Sequence, residues 1–221
     1  MVRLEGVSKS YSSGEAVIRA VDEISIDLKE GEFIVVTGPS GSGKTTLLNL
    51  IGGMTRPDSG KIFVGDNDII AMSDAKLTRF RASKMGLVFQ FPSMIPTLSA
   101  LENVLLPLMF ADSDAGEAEA RDLLEMTGLS GRENAYVHQL SAGQQRRVGI
   151  ARALVTSPSL LLCDEPTGDL DFNTEAAIMD MIKQANRQGA TVIMTTHNWA
   201  LETYASRSLK IQAGKVSDNL K

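Results

Sequence analysis

The sequence has only one cysteine, Cys163, among 221 residues. No disulfide can close within the chain, and a reducing compartment suits it. A basic excess is also missing. Twenty-two Lys and Arg stand against 27 Asp and Glu, a formal net charge of −5. Non-specific nucleic-acid binding rests on cations meeting phosphates, so no nucleic-acid partner is expected, a local basic groove aside. No stretch approaches the ~18 consecutive apolar residues of a membrane span, and Met1 to Glu5 has no apolar signal core. If the chain works at a membrane, another chain must cross it. Repeats and low-complexity tracts are absent, and 112–119 is only a short acidic patch. What is present is ordinary folded-protein composition, 43 % hydrophobic and 22 % charged, in a length that suits one large domain or a domain with an inserted subdomain.

One stretch organises the rest. Residues 38–46 read Gly38-Pro39-Ser40-Gly41-Ser42-Gly43-Lys44-Thr45-Thr46, the spacing of a phosphate-binding loop. Polyphosphate must approach bare backbone N–H groups, so Gly41 and Gly43 are expected to keep side chains out of the way. A helix starting near Lys44 points its positive dipole end at the phosphates. Lys44 can reach the β- and γ-phosphates, and Thr45 offers a hydroxyl to Mg²⁺. The flanks agree. Phe33 to Val36 is an apolar run of buried-strand type, and Leu47, Leu48, Leu50 and Ile51 follow as a helix that Gly52-Gly53 ends.

Residues 2–36 read as β, with Ile24, Ile26 and Leu28 alternating with polar positions. A short strand is expected over 61–64 and a helix with one basic side over 73–84. Gly86 to Gln90 reads as a strand ending in a polar residue. From 91 to 110 prolines interrupt apolar stretches; Met94, Ile95 and Met109 offer either core packing or a docking surface for a partner helix. Helices follow over 116–127 and from Leu140 to Val155. Leu160 to Glu165 is a buried strand with two acids at its C-terminal end. Ile178, Met181, Ile182 and Ala185 share one helical face, and 191–196 is another buried strand, which ends at His197. Strands alternating with helices, with polar C-terminal ends, indicate a parallel sheet with its site along one edge.

Asp164 at such a strand end can hold Mg²⁺ opposite Thr45. Glu165, one residue on, can orient and deprotonate an attacking water. Ser141 with Gln144 fits a helix capping box, and an exposed helix N-terminus is also a phosphate site. His197 can donate to a γ-phosphate, or be structural. Gln90 can contact Mg²⁺ or the lytic water. Tyr11, one of few aromatics, can stack on adenine or simply pack. His138 has no such placement.

In this order the motifs resemble the ATP-binding subunit of ABC transporters over essentially the whole chain. Residues 38–46 are similar to that family's Walker A, and Gln90 to its Q-loop. Leu140 to Arg146 resembles the signature motif, the most specific of these. Leu160 to Glu165 resembles Walker B plus the catalytic Glu, Gly168 to Asp171 the D-loop, His197 the switch histidine, and Tyr11 the adenine-stacking aromatic. Ala142 stands where the family usually has Gly, and Asp169 where close relatives often have Asn. Val88 to Phe91, Ala100 to Val104 with Leu106 to Leu108, and Gly168 to Asp171 resemble the subgroup that serves macrolide, lipoprotein, haem and cell-division systems.

The resemblance implies an α/β fold of the P-loop NTPase, RecA-like kind. It has a mostly parallel sheet core, an N-terminal antiparallel β subdomain and an inserted α-helical subdomain. Residues 1–90 and 158–221 would form the ATP-binding core, and 91–157 the helical signature subdomain. It implies a Mg²⁺-dependent ATPase working as a head-to-tail pair. Each ATP would lie between residues 38–46 of one copy and Ser141, Ala142, Gly143, Gln144 and Asp171 of the other. Catalysis would fall to Glu165, His197, Gln90 and Lys44, and Mg²⁺ to Thr45, Gln90 and Asp164. A separate integral membrane permease would dock near 91–110, placing the chain on the cytoplasmic face of the membrane. The rivals are a soluble ATPase of the same type, as in iron–sulfur assembly, and a nucleotide-binding module without turnover.

Overall fold

The structure is a computed structural model and describes residues 1–14, 16–111, 115–168 and 170–219. Asp169 and the first three residues of the acidic patch, 112–114, lie outside the described residues.

The chain opens as an antiparallel hairpin, β1 (Val2–Ser13) and β2 (Ala16–Leu28). β3 (Phe33–Thr37) runs through the glycine-rich loop into α1 (Lys44–Ile51). β4 (Ser59–Val64) returns to pair with β1, and the short β5 (Asn67–Asp68) pairs with β4. Then come α2 (Asp74–Lys84), β6 (Met85–Val88), α3 (Ala100–Leu105), α4 (Glu117–Met126), α5 (Ala142–Leu154) and β7 (Leu160–Asp164). The chain finishes with α6 (Phe172–Arg187), β8 (Thr191–Thr196), β9 (Arg207–Gln212) and β10 (Lys215–Asn219). Among the described residues these strands make two sheets, one in the order β2-β1-β4-β5 and one in the order β10-β9-β3-β8-β7-β6. Strands β9, β3, β8, β7 and β6 are mutually parallel, and only the β10 edge is antiparallel. The expected architecture is therefore present: a mostly parallel core sheet, an antiparallel N-terminal sheet, and helices inserted between β6 and β7.

The core sheet is buried on both faces, and its side chains divide by parity, as the two-residue period of a strand requires. Ile34 and Val36, Leu160 and Leu162, and Ile193 pack with α1 and the N-terminal sheet. Phe33 and Val35, Leu161 and Cys163, and Val192 and Met194 pack against Ile178, Met181 and Ile182 of α6. A third cluster, separate from both, joins α3, α4 and α5 through Leu101, Val104, Leu124, Val148 and Ala151.

One expectation needs correction. The strand after α2 ends at Val88, so Gln90 lies two residues beyond it, in a loop. The segment 91–110 is not uniform. Ser99 caps α3 through a reciprocal box with Glu102 and sends Ala100, Leu101 and Val104 into the third cluster. Phe91, Met109 and Phe110 stay exposed. Core packing and exposed apolar surface both occur there: Met94 packs against the third cluster, while Ile95 and Met109 are exposed.

Ile34, fully buried in the central strand, has no room to relax. Ile34→Ala is expected to lower stability by about 2–5 kcal/mol, read as a lower urea midpoint at unchanged slope.

Candidate nucleotide site

The site lies at the C-terminal ends of β3, β7 and β8. The loop leaving β3 is shaped by three glycines. Gly43 caps α1 at φ +108°, and a Cβ there would lie 2.0 Å from the carbonyl of Ala20 on β2. A Cβ on Gly38 would lie 2.2 Å from the carbonyl of Ile211 on β9. Gly41 faces open space and is needed for its φ of +75°. The protein's own backbone leaves no room for side chains at 38 and 43. Ser42 is held inside the loop, its Oγ buried without a hydrogen-bond partner among the described residues.

Lys44 follows at the first turn of α1 and is only 6 % exposed. Its Nζ donates to the carbonyls of Gly38 at 2.9 Å and Pro39 at 3.1 Å. It also lies 3.8 Å from Oε1 of Glu165. The other carboxylate oxygen of Glu165 meets Nδ1 of His197 at 2.5 Å. An ionised carboxylate only accepts, so the Nδ1 proton faces Glu165 and Nε2 of the neutral ring is an acceptor.

Beside this line, Asp164 Oδ1 accepts from Thr45 Oγ1 at 3.2 Å and from Thr195 Oγ1 at 2.6 Å. A strand-end carboxylate beside a loop hydroxyl is the donor set Mg²⁺ takes when substrate phosphates and water complete its shell. Cys163, next to Asp164, takes no part. Burial, and then the Asp164 charge, push its thiol far up.

The loop amides, Lys44, Thr45, Thr46, Gln90 and Glu165 border one cavity of about 360 Å³, with Ala20 of β2 on its rim. Glu165 stands in it at φ +48°, a left-handed posture that a non-glycine residue holds only where its surroundings fix it. Its N–H donates to the carbonyl and the hydroxyl of Thr195.

Other predicted residues do not line that cavity. Tyr11 sits on β1, 43 % exposed, with the Lys9 ammonium 5.7 Å from its ring centre. Ser141 caps α5 in a reciprocal box with Gln144, at 3.3 and 2.9 Å, and Ser141 and Ala142 are exposed. Gly143 faces Leu170 and Thr174, so the head of α5 and the start of α6 share one surface. Asp171 caps α6. Its carboxylate accepts from the hydroxyl and the N–H of Thr174, which hold it below the usual carboxylate range. His138 stacks against Tyr136.

Sequence reasoning missed two residues. Thr195 holds both Asp164 and the Glu165 backbone, and its only signal was a hydroxyl near the end of a buried strand. Arg146, inside the 140–146 motif, donates to carbonyls at both Gln90 and Gly168.

A family model described as ABC transporter matches residues 21–168. The chain is 42 % identical to the uncharacterized ABC transporter ATP-binding protein MJ1508 of Methanocaldococcus jannaschii, over 98 % of this chain and 97 % of that one. It is 41 % identical to the lipoprotein-releasing system ATP-binding protein LolD of Geobacter metallireducens, over 98 % and 97 %. Its structure superposes with a TM-score of 0.93, over the whole of both chains and at 38 % identity, on a dimeric post-hydrolysis state of the ATP-binding cassette MJ0796 bound to ADP and Pi.

Thr195→Val keeps the shape and removes the hydroxyl that serves buried Asp164. A stability loss of about 1–3 kcal/mol is expected in urea titration, with Thr195→Ser close to the parent; a silent Thr195→Val would refute the bond's importance.

Proposed function

The chain belongs to the ABC transporter family of ATP-binding cassettes, and from that premise we propose that it is the ATP-hydrolysing subunit of a transporter. It binds two ATP per head-to-tail dimer and drives a separate membrane permease of the lipoprotein-release or macrolide-export type. The observation that carries this reading is the meeting of Lys44, Glu165 and the Thr45–Asp164 pair around one glycine loop, while Ser141 of the same chain stands outside that cavity. A chain holding half of a phosphate site in one place and a second anion-binding helix start in another is suited to sharing its sites with a copy of itself.

Each role rests on position and chemistry. Amides of the 38–46 loop and the start of α1 cradle the triphosphate, and Lys44 turns from its loop carbonyls to phosphate oxygens. Thr45, Asp164 and Gln90 would hold Mg²⁺, which supplies positive charge at the β- and γ-phosphates. Glu165 positions and deprotonates water, and His197, braced on Glu165, faces the γ-phosphate. Ser141, Ala142, Gly143 and Gln144, with Asp171 nearby, meet the triphosphate of the other copy, and Tyr11 stacks on the adenine. Closure thus needs the γ-phosphate, and hydrolysis releases it.

We assign 1–90 and 158–221 to the ATP-binding core and 91–157 to the helical signature subdomain, supported by the separate apolar cluster of α3, α4 and α5. Between the two runs a groove of about 330 Å³ bordered by Arg81, Leu87, Phe89, Pro107, Phe110 and Arg152. Its apolar rim supports docking of the permease near 91–110. No helix among the described residues is long and apolar enough to cross a membrane, so attachment at the cytoplasmic face would run through that partner.

Glu165→Gln is expected to bind ATP, lose about 10²–10⁴-fold in turnover and accumulate as a dimer on gel filtration; wild-type turnover would disprove the role. Lys44→Ala is expected to lose nucleotide affinity in titration calorimetry. Phe110→Asp is expected to keep the soluble ATPase rate and release the chain from the membrane fraction of its own cells.

A further inference from the structure

The helix that presents Ser141 packs on the core sheet through Ile150 and Ala153, and its Arg146 reaches the main chain around the chemical centre. Arg146, in the second turn of α5, sends Nη1 to the carbonyl of Gly168 at 2.7 Å and Nη2 to the carbonyl of Gln90 at 2.7 Å. Nη1 also approaches the carbonyls of Glu165 at 3.3 Å and Pro166 at 3.4 Å. One planar fork thus spans two separate segments, the 165–168 turn after β7 and the loop after β6. Further along α5, Arg152 donates to Pro92 at 2.7 Å and Ser93 at 3.0 Å. The segments so gripped contain two left-handed non-glycine residues, Glu165 at φ +48° and Ser93 at φ +45°. Such postures persist only when neighbours over-determine them. The backbone of Glu165 is held on one side by Thr195 and on the other by Arg146.

We propose that Arg146 is a positioning residue for hydrolysis: it fixes the main chain that aims Glu165 and Gln90 and makes their posture follow the placement of α5. The inference rests on the head-to-tail reading above. There, the head of α5 in one copy meets the triphosphate bound by the other copy. Arg146 carries that contact back, within the same chain, to Glu165 at its own nucleotide. Each site is then set for hydrolysis by occupancy of the other, and turnover rises cooperatively with ATP. Lysine cannot replace the fork, because its donors radiate from one point and cannot reach two carbonyls on separate segments in fixed directions.

The test compares Arg146→Ala and Arg146→Lys with the parent, after the parent has been shown to hydrolyse ATP and Glu165→Gln to be inactive. Failure of that first comparison sinks the functional reading; the variants at position 146 bear on Arg146 alone. Arg146→Ala is expected to lose on the order of 10²-fold in kcat, with ATP affinity by calorimetry within about threefold of the parent and a Hill coefficient near 1. Arg146→Lys is expected to keep the parent's melting behaviour and ATP affinity, with kcat between the other two and weakened cooperativity. A merely structural arginine would move the melt and leave kcat per folded molecule and the Hill coefficient alone. The proposal is overturned if kcat of Arg146→Ala is that of the parent, or falls only in step with ATP affinity. Should Arg146→Ala fail to fold, Arg146→Lys decides: parental kcat and cooperativity in that variant overturn it.

Discussion

A buried ammonium group sets the terms for this site. Lys44 is almost wholly enclosed, and an unmet charge there would be prohibitive. It is met by two loop carbonyls and by Glu165. That arrangement requires the loop to curl over its own lysine, which in turn requires Gly38 and Gly43 where neighbouring carbonyls leave no space for a side chain. It also requires an acid at the end of β7, opposite the end of β3. The parallel sheet provides this by inserting β8 between the two strands, so that all three C-terminal ends open on the same edge.

The same edge explains why the chemistry is divided between two kinds of group. Asp164 is buried and bound by two hydroxyls, a posture suited to holding an ion in place. Glu165 lies one residue further, past the last strand pair, with its carboxylate between Lys44 and His197. A strand reverses its faces at every residue, and the left-handed turn at 165 re-aims the second acid toward the cavity. Two neighbouring carboxylates thereby acquire different surroundings. The cluster of α3, α4 and α5 is joined to this core through α5, by Ile150 and Ala153 packed among Val88, Leu161 and Cys163 and by the polar contacts of Arg146 and Arg152.

Much of this was legible beforehand, and for definite reasons. The apolar runs before 37, 165 and 197 had to be buried strands because they were short, rich in β-branched or leucine side chains and ended in polar residues. The helix expected over 73–84 was announced by its basic side, that over 116–127 by Leu123, Leu124 and the stop at Gly128, and that through Ile178 and Ala185 by one apolar face before Gly189. The mixed segment 91–110 was not separable by composition. Ser99 and Glu102 look ordinary in a row of residues, yet their reciprocal cap fixes which side chains turn inward. The strand pair β9 and β10 has too little pattern of its own. Its first strand is fixed by parallel pairing with β3, Ile34 against Arg207, a relation between distant segments that local periodicity cannot express.

By itself the sequence determined the chemical vocabulary: a glycine loop with its lysine, an acid pair after one strand, a histidine after another and a serine-headed helix. Those follow from short-range rules of backbone freedom, strand burial and helix capping, which a string of residues contains. Only the tertiary structure decided that Thr195 anchors Asp164, that the loop glycines answer to Ala20 and Ile211, and that Arg146 joins the loop after β6 to the turn after β7. Each of these is a contact between distant segments, created when the sheet brings strand ends together, and no local pattern foretells which carbonyl will stand within reach of which donor.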